Sequence, residues 1–348
     1  MNKFFVLILI LTAGLSAHAQ KSDLTTLFSS EDPLEIKLKF SVKEVKKITV
    51  DTIYTASVMH FKTGDKWDSI PVEIRARGNF RRANCYFPPL RVKIKKDAAK
   101  GTVFEGNRSL KLVLPCKSAK DGNLVMREYV CYKMYEPVTK YIFHTRRVNI
   151  DFTDVSSKKM QHVPVVGFFI EDDDLVAKRF NAKVIEQQLS PMRLQDTASV
   201  RHDYFQFLIA NTDWSTAFMH NAKVIQFADT KGGAAYIPLT YDFDMSGVVN
   251  APYAQVNETL GIASVTERLY RGFCRPIQSA GGKSDLMESV RQEYLSKEGR
   301  IIGELKRHES LFEAKEFAGM NAFVKDFFDI LKSDTRFKAS VMDKCRKQ

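Results

Sequence analysis

The sequence predicts an α+β protein of two lobes, an amino-terminal antiparallel sheet followed by a mainly helical carboxy-terminal half. Three observations predict it. Four short segments of the first half alternate apolar and polar residues, the period of half-buried strands. Beyond residue 174 the apolar spacing becomes mostly helical. Between the two halves an acidic run, Glu171, Asp172, Asp173 and Asp174, breaks the apolar pattern and reads as a connection between lobes. A length of 348 residues suits about two compact units, here expected as residues 20–170 and 171–348 after a leader over 1–19. With 44% hydrophobic and 27% charged residues, wholesale disorder, collagen-like repeats and a polytopic membrane protein are excluded.

The elements follow in order. Lys3 precedes the apolar run Phe4 to Leu11, and Ala17, His18, Ala19 precede Gln20, the pattern of a secretory signal cleaved after Ala19. That run falls short of the roughly 20 residues needed to span a bilayer, so a secreted or periplasmic protein without a span after cleavage is expected. Ile36, Leu38, Phe40 and Val42 form the first alternation; Ile70, Val72 and Ile74 the second; Leu90, Val92 and Ile94 the third; Leu110, Leu112 and Leu114 the fourth. Because successive side chains point to opposite faces, Arg75, Arg77, Arg91, Lys93 and Lys95 share the face away from the apolar residues. A helix over Val125 to Val138 is placed to cover the sheet, and strands follow near Arg147 to Phe152 and Val165 to Ile170. Helices are expected over Val200 to Ala210, Asp285 to Lys297, Arg300 to Phe312 and Glu316 to Leu331. Lys223 to Phe227 and Ala235 to Leu239 make a hairpin around the turn residues Asp229 to Gly233.

An exported chain permits disulfides. Cys85 and Cys116 border strands of the same sheet and are the expected pair; Cys131, inside an apolar helix pattern, reads as a buried small hydrophobe; Cys274 and Cys345 pair or stay free. Net charge is +12, or +11 without Lys3 of the leader. Such a surplus suits phosphates or acidic surfaces without choosing among them, and no RNA- or DNA-binding motif accompanies it, so a nucleic-acid partner is not expected.

The chemistry concentrates in Asn211, Thr212, Asp213, Trp214, then His220 and Asn221, then Tyr241, Asp242, Phe243 and Asp244. Phosphoryl transfer needs a carboxylate to orient or deprotonate the acceptor hydroxyl and oxygen ligands to hold a divalent cation against the nucleotide phosphates. The hairpin returns the chain, so Asp242 is expected beside Asn221. At these residues the chain resembles the atypical kinases of the CotH and HipA type. The series runs in order through Arg77-Gly78-Asn79, Pro89-Leu90-Arg91-Val92-Lys93, Ile170-Glu171-Asp172 with Arg179-Phe180, Asn211-Thr212-Asp213, His220-Asn221 and Tyr241-Asp242.

The resemblance implies a two-lobed protein-kinase-like fold, with ATP and Mg²⁺ or Mn²⁺ as cofactors and a protein or small molecule bearing a hydroxyl as acceptor. It makes Asp213 the general base, Asn221 and Asp242 metal ligands with Asp244 as a further one, and Lys93 the phosphate contact. Arg77 and the backbone around Gly78 are expected at the phosphates, Glu171 at the nucleotide between the lobes, and Glu128 as an ion-pair partner orienting Lys93. Asp213 and Asn221 stand eight apart where the kinase catalytic loop separates its Asp and Asn by five, so Ser215 to Met219 are expected to loop out. Rival readings are a non-catalytic binding module and a metal-dependent hydrolase using the same carboxylates with water as nucleophile. The plainer alternatives are Asp213 as a helix cap, Asp242 and Asp244 at a solvated strand end, Lys93 on a solvated sheet face, and the acidic run as a surface loop.

Overall fold

The computed structural model describes residues 24–228, 234–279 and 282–347. The expected leader over 1–19, the expected new amino terminus at Gln20 and the turn residues Asp229 to Gly233 lie outside the described residues.

Seven strands of the first half are β1 (Leu34–Phe40), β2 (Thr55–Thr63), β3 (Lys66–Ala76), β4 (Leu90–Ile94), β5 (Ser109–Val113), β6 (Thr145–Asp154) and β7 (Gln161–Ile170). They close into a barrel in the order β1-β2-β3-β4-β5-β7-β6. Neighbours are antiparallel except at the seam, where β1 lies parallel to β6 from Leu34 opposite Val148 to Phe40 opposite Asp154. This corrects the protein-kinase-like expectation: the first half is a closed barrel followed by a helical part, and not the antiparallel sheet lobe of a kinase-like fold. Two features of the chain explain the difference. In β2 only Met59 and Phe61 are buried while Val58 faces out, so its alternation is blurred. The seam joins segments more than a hundred residues apart, a contact that no local period announces.

Alternation holds inside the barrel. Ile36, Leu38, Ile74, Val92, Leu110 and Leu112 are buried in one core, where Phe104 meets Phe61 and Phe169 edge to face at 5.1 and 6.1 Å. The short helices α1 (Val42–Lys47), α2 (Asn79–Asn84) and α3 (Lys96–Ala99) connect its strands. Cys85, at the end of α2, is bonded to Cys116 just past β5.

Helix α4 (Gly122–Tyr135) packs on β7 and β6 and joins the barrel to the second core. Tyr129 lies 5.6 Å from Phe168 of β7 and 5.4 Å from His308. Then come α5 (Asp173–Arg179), α6 (Asp196–Leu208), α7 (Leu286–Arg307), α8 (Ala314–Lys332) and α9 (Asp334–Phe337), with the sheet of β8 (Ala182–Ile185), β9 (Ala222–Phe227) and β10 (Tyr236–Thr240) and the hairpin β11 (Pro276–Ser279) and β12 (Gly282–Asp285). The helices expected over Asp285 to Lys297 and from Arg300 onward are one continuous α7. Gly299 sits where nothing lies within 4 Å of a built Cβ, on open surface, so it costs helix propensity, roughly 1 kcal/mol, without breaking the helix.

Cys274 is bonded to Cys345, and Cys131 is free and buried. Two disulfides are compatible with a protein outside the reducing cytosol. Among the described residues no helix is long and apolar enough to cross a membrane.

Candidate functional site

Helix α6 delivers the first part of the site. It ends at Leu208, and Ala210 takes a positive φ of 50°, turning the chain out of the helix. Asn211, fully buried, then organises the loop: its Nδ2 donates to Gln206 Oε1 at 2.9 Å, its Oδ1 accepts the Asp213 amide at 3.0 Å, and its carbonyl accepts Trp214 Nε1 at 3.1 Å. Asp213 therefore sits in an Asx-type turn with its carboxylate free to face the loop partners. It caps no helix of the described residues.

Ser215 to His220 form a closed loop, because Ser215 and His220 exchange backbone hydrogen bonds of 2.8 and 2.9 Å. This absorbs the extra residues between Asp213 and Asn221. At its base His220 Nε2 lies 2.8 Å from Asp213 Oδ1, and Asn221 Nδ2 donates to Asp213 Oδ2 at 3.0 Å and to the Asp213 carbonyl at 2.8 Å. The hydrogen bond to Asp213 holds the His220 imidazole above its ordinary range, against burial.

The hairpin supplies the second part. β9 pairs with β10 so that Ala222 faces Thr240, and the next pair out is closed by the Tyr241 amide donating to the Asn221 carbonyl at 3.2 Å. Asp242 follows directly, with φ of 65° and its amide bound to the Tyr132 hydroxyl at 2.9 Å. Asn221, at φ 50°, and Asp242 both hold left-handed backbone conformations uncommon outside glycine, a strain that marks positions fixed by their surroundings. Asp213, Asn221 and Asp242, drawn from separate stretches, thus share one place.

Asp244 lies deeper. Burial first, then the charge of Asp242, pushes its carboxyl up to about 7, although the Arg81 guanidinium stands 3.8 Å away. Glu128 on α4, one turn before Tyr132, is raised well above the usual carboxylate range by burial and then by Asp244 and Asp242. Its expected pairing with Lys93 is corrected: Glu128 faces Asp244 and Arg81, and the α4 position that points it there is set by Tyr132 packing 4.7 Å from Phe243. Among the described residues Glu128 Oε1, Asp244 Oδ2 and Arg81 Nε are buried without a hydrogen-bond partner.

Those orphaned carboxylate oxygens bear on the metal. Among the described residues no three His, Cys, Asp or Glu form a metal-holding group. Mg²⁺, however, is usually held by one or two carboxylates, with waters and substrate phosphates completing its shell. Asp242, the carbonyl oxygen of the Asn221 amide and Asp244 match that donor set by type, the unpartnered Asp244 oxygen facing Arg81 at 3.8 Å.

Of the other expected residues, Arg77 reaches this place, its guanidinium 5.8 Å from the Tyr241 ring centroid. Gly78 has φ of 73°, which a side chain would strain, and caps α2. Lys93 is exposed on the outer barrel face, 4.0 Å over the Tyr54 ring and opposite Glu73. There it lines a cavity of about 800 Å³ with Ser57, Arg108, Ser109, Asp172 and Lys178. Glu171 is buried and occupied by Arg179 at 3.2 Å and by the His144 amide at 3.1 Å.

Two residues escaped the sequence reading. Lys111 of β5, nearly inaccessible, donates to Asp173 at 2.9 Å and lies 5.4 Å from the Tyr241 ring, so it and not Lys93 is the lysine against the Asp242 segment. Its signal in the sequence was its place between Leu110 and Leu112 of the fourth alternation. Arg81, two residues past Asn79, donates to the Leu114 carbonyl and faces Asp244. The acidic run is likewise no plain surface loop. Asp172 pairs with Arg91 at 2.7 Å and caps α5, while Asp173 is held well below the usual carboxylate range because the attraction of Lys111 outweighs burial.

No protein-family model and no curated protein matches the chain.

Proposed function

We propose that the protein is an exported phosphotransferase that moves a phosphoryl group from a nucleotide to a hydroxyl acceptor with Mg²⁺. The observation supporting this most is the junction at Asn221, whose side chain binds the Asp213 carboxylate at 3.0 Å while its backbone carbonyl accepts the amide of the residue before Asp242 at 3.2 Å. A base and a pair of oxygen ligands therefore stand on the same few atoms. The ordered motif series resembling the CotH-type enzymes favours the same chemistry, on a barrel-plus-helices architecture.

In this reading Asp213 accepts the hydroxyl proton. His220 and Asn221 each donate to one of its oxygens, which fixes the carboxylate plane and leaves the remaining lone pairs toward solvent, where Asp213 is 39% exposed. Asn221, Asp242 and Asp244 would hold the cation, which when bound supplies charge neutralisation at the phosphates. Arg77 and Lys111 add positive charge against Tyr241. The cavity between the outer barrel face and α5 has the size of a small-molecule site, with Lys93 and Asp172 in its lining.

The test is incubation of the purified chain with labelled ATP, Mg²⁺ and a mixture of protein and small hydroxyl acceptors. Label transfer that falls at least 100-fold in Asp242→Ala and in Asp213→Asn is expected. Release of phosphate alone would assign a hydrolase, and absence of nucleotide binding would leave a non-catalytic module.

A further inference from the structure

We infer that Arg271 is the positioning residue of the Asp213 loop, and that the chain's carboxy terminus holds Arg271 in place. The inference rests on the proposed phosphotransferase only for its kinetic consequence; the positioning itself is geometric.

Arg271 Nη1 donates to the carbonyls of Thr212 and Trp214, the latter at 3.0 Å, so one guanidinium grips the backbone on both sides of Asp213. The same group lies 5.4 Å from the Trp214 ring centroid. Hydrogen bonds from a charged donor are about twice as strong as neutral ones, and here both leave the single Nη1, which ties the two carbonyls to one atom. Asn211 in turn holds the Asp213 amide. The loop is thus held by two side chains, while the Asp213 carboxylate itself points at His220 and Asn221.

What fixes Arg271 is the end of the chain. Arg346 donates its amide to the Gly272 carbonyl at 2.9 Å and accepts the Cys274 amide at 2.9 Å, a parallel bridge flanking Phe273. The Arg346 guanidinium lies 4.2 Å over the Phe273 ring, and the Cys274–Cys345 disulfide closes the same contact covalently across 71 residues. Gly272 itself is pressed on α6: a Cβ there would come within 2.5 Å of Asp203 Oδ2. Arg271 therefore emerges from a segment held by the tail on one side and by α6 on the other.

A displacement of about 1 Å in a catalytic group can cost 100-fold in rate. Arg271→Ala is expected to lower kcat for phosphoryl transfer by roughly 10- to 100-fold with the KM for nucleotide unchanged. Arg271→Lys, which restores a charged donor on a shorter reach, is expected to recover part of it, and the Cys274→Ser/Cys345→Ser pair to fall between. Side-chain NMR of His220, assigned by its loss in His220→Gln, reads the loop without activity, and its signal is expected to shift in Arg271→Ala while thermal unfolding stays cooperative. An unshifted signal together with wild-type kcat would overturn the inference, as would Arg271→Lys no better than Arg271→Ala. If wild-type protein transfers no phosphoryl group, the proposed function fails and the His220 signal alone decides the positioning.

Discussion

Asp244 shows what burial does to a carboxyl that has a guanidinium in reach but one oxygen without a hydrogen-bond partner among the described residues. Its proton is retained up to about 7, because desolvation and the neighbouring charge of Asp242 outweigh Arg81 at 3.8 Å. An unfolded chain gives up that proton near the ordinary 3.8. Between those two values the folded state binds more protons than the unfolded one, so stability falls as pH rises from about 4 to 7 and stays low above it. Glu128, raised for the same reasons, adds to the slope. Asp244→Asn keeps the shape and removes the charge. We expect it to flatten the pH dependence of Tm over this window and to raise Tm at pH 8 by roughly a few degrees; an unchanged slope by calorimetry would show that the buried carboxyls do not set it. The sequence placed Asp244 near Asp242 through simple alternation. It did not reveal Glu128 and Arg81 as its neighbours, since that meeting depends on Tyr132 of α4 packing against Phe243 and binding the Asp242 amide.

At the scale of elements, β4 and β5 carry lysines in the same phase, and only their neighbours distinguish them. Lys93 faces open solvent and a cavity, whereas Lys111 lies under α5 and against Tyr241, paired with Asp173 at 2.9 Å. Removing one partner of a buried pair strands the other charge, a cost of about 3 kcal/mol or more. Lys111→Ala is therefore expected to destabilise the protein by roughly that amount in urea unfolding, and Lys93→Ala by under about 0.5 kcal/mol, as surface changes do. Equal effects would mean that Asp173 is not held by Lys111. The same contrast marks what could be read from the sequence. Alternation gave β1, β4 and β5 with near-correct bounds and only the Ile70 to Ile74 part of β3 (Lys66–Ala76), because polar or charged residues alternate with apolar ones in those stretches. It missed β2, whose outward Val58 hides the period, and β8, four residues long and nowhere fully buried. Which of two like lysines is covered is a tertiary fact, settled by the acidic run docking on the barrel.

Across the whole molecule, the parallel seam of β1 and β6 is the feature that a local reading reaches last, because the pairing exists only once the intervening strands have formed. Closure leaves a barrel core and a helical core with α4 between them, and each part carries one disulfide: Cys85–Cys116 beside the barrel, Cys274–Cys345 at the carboxy terminus. The cysteines could be sorted from the sequence at the first pair, which borders two neighbouring strands, but not at the second, whose partners lie 71 residues apart. In the chain-entropy account the two bridges contribute about 4 kcal/mol each, and the wider loop exceeds the narrower by about 0.7 kcal/mol. Cys131 stands apart, free and buried, with burial pushing its thiol far up and so keeping it unreactive. Thiol labelling separates these assignments. The protein purified from an oxidising compartment is expected to label at no cysteine when native, at one when denatured and at five when denatured with reductant. Reductant alone is expected to lower Tm, and the Cys274→Ser/Cys345→Ser variant to lose slightly more stability than Cys85→Ser/Cys116→Ser. Three reactive thiols on denaturation without reductant would mean that one bridge does not form in the mature chain, and intact mass of the labelled fragments would say which.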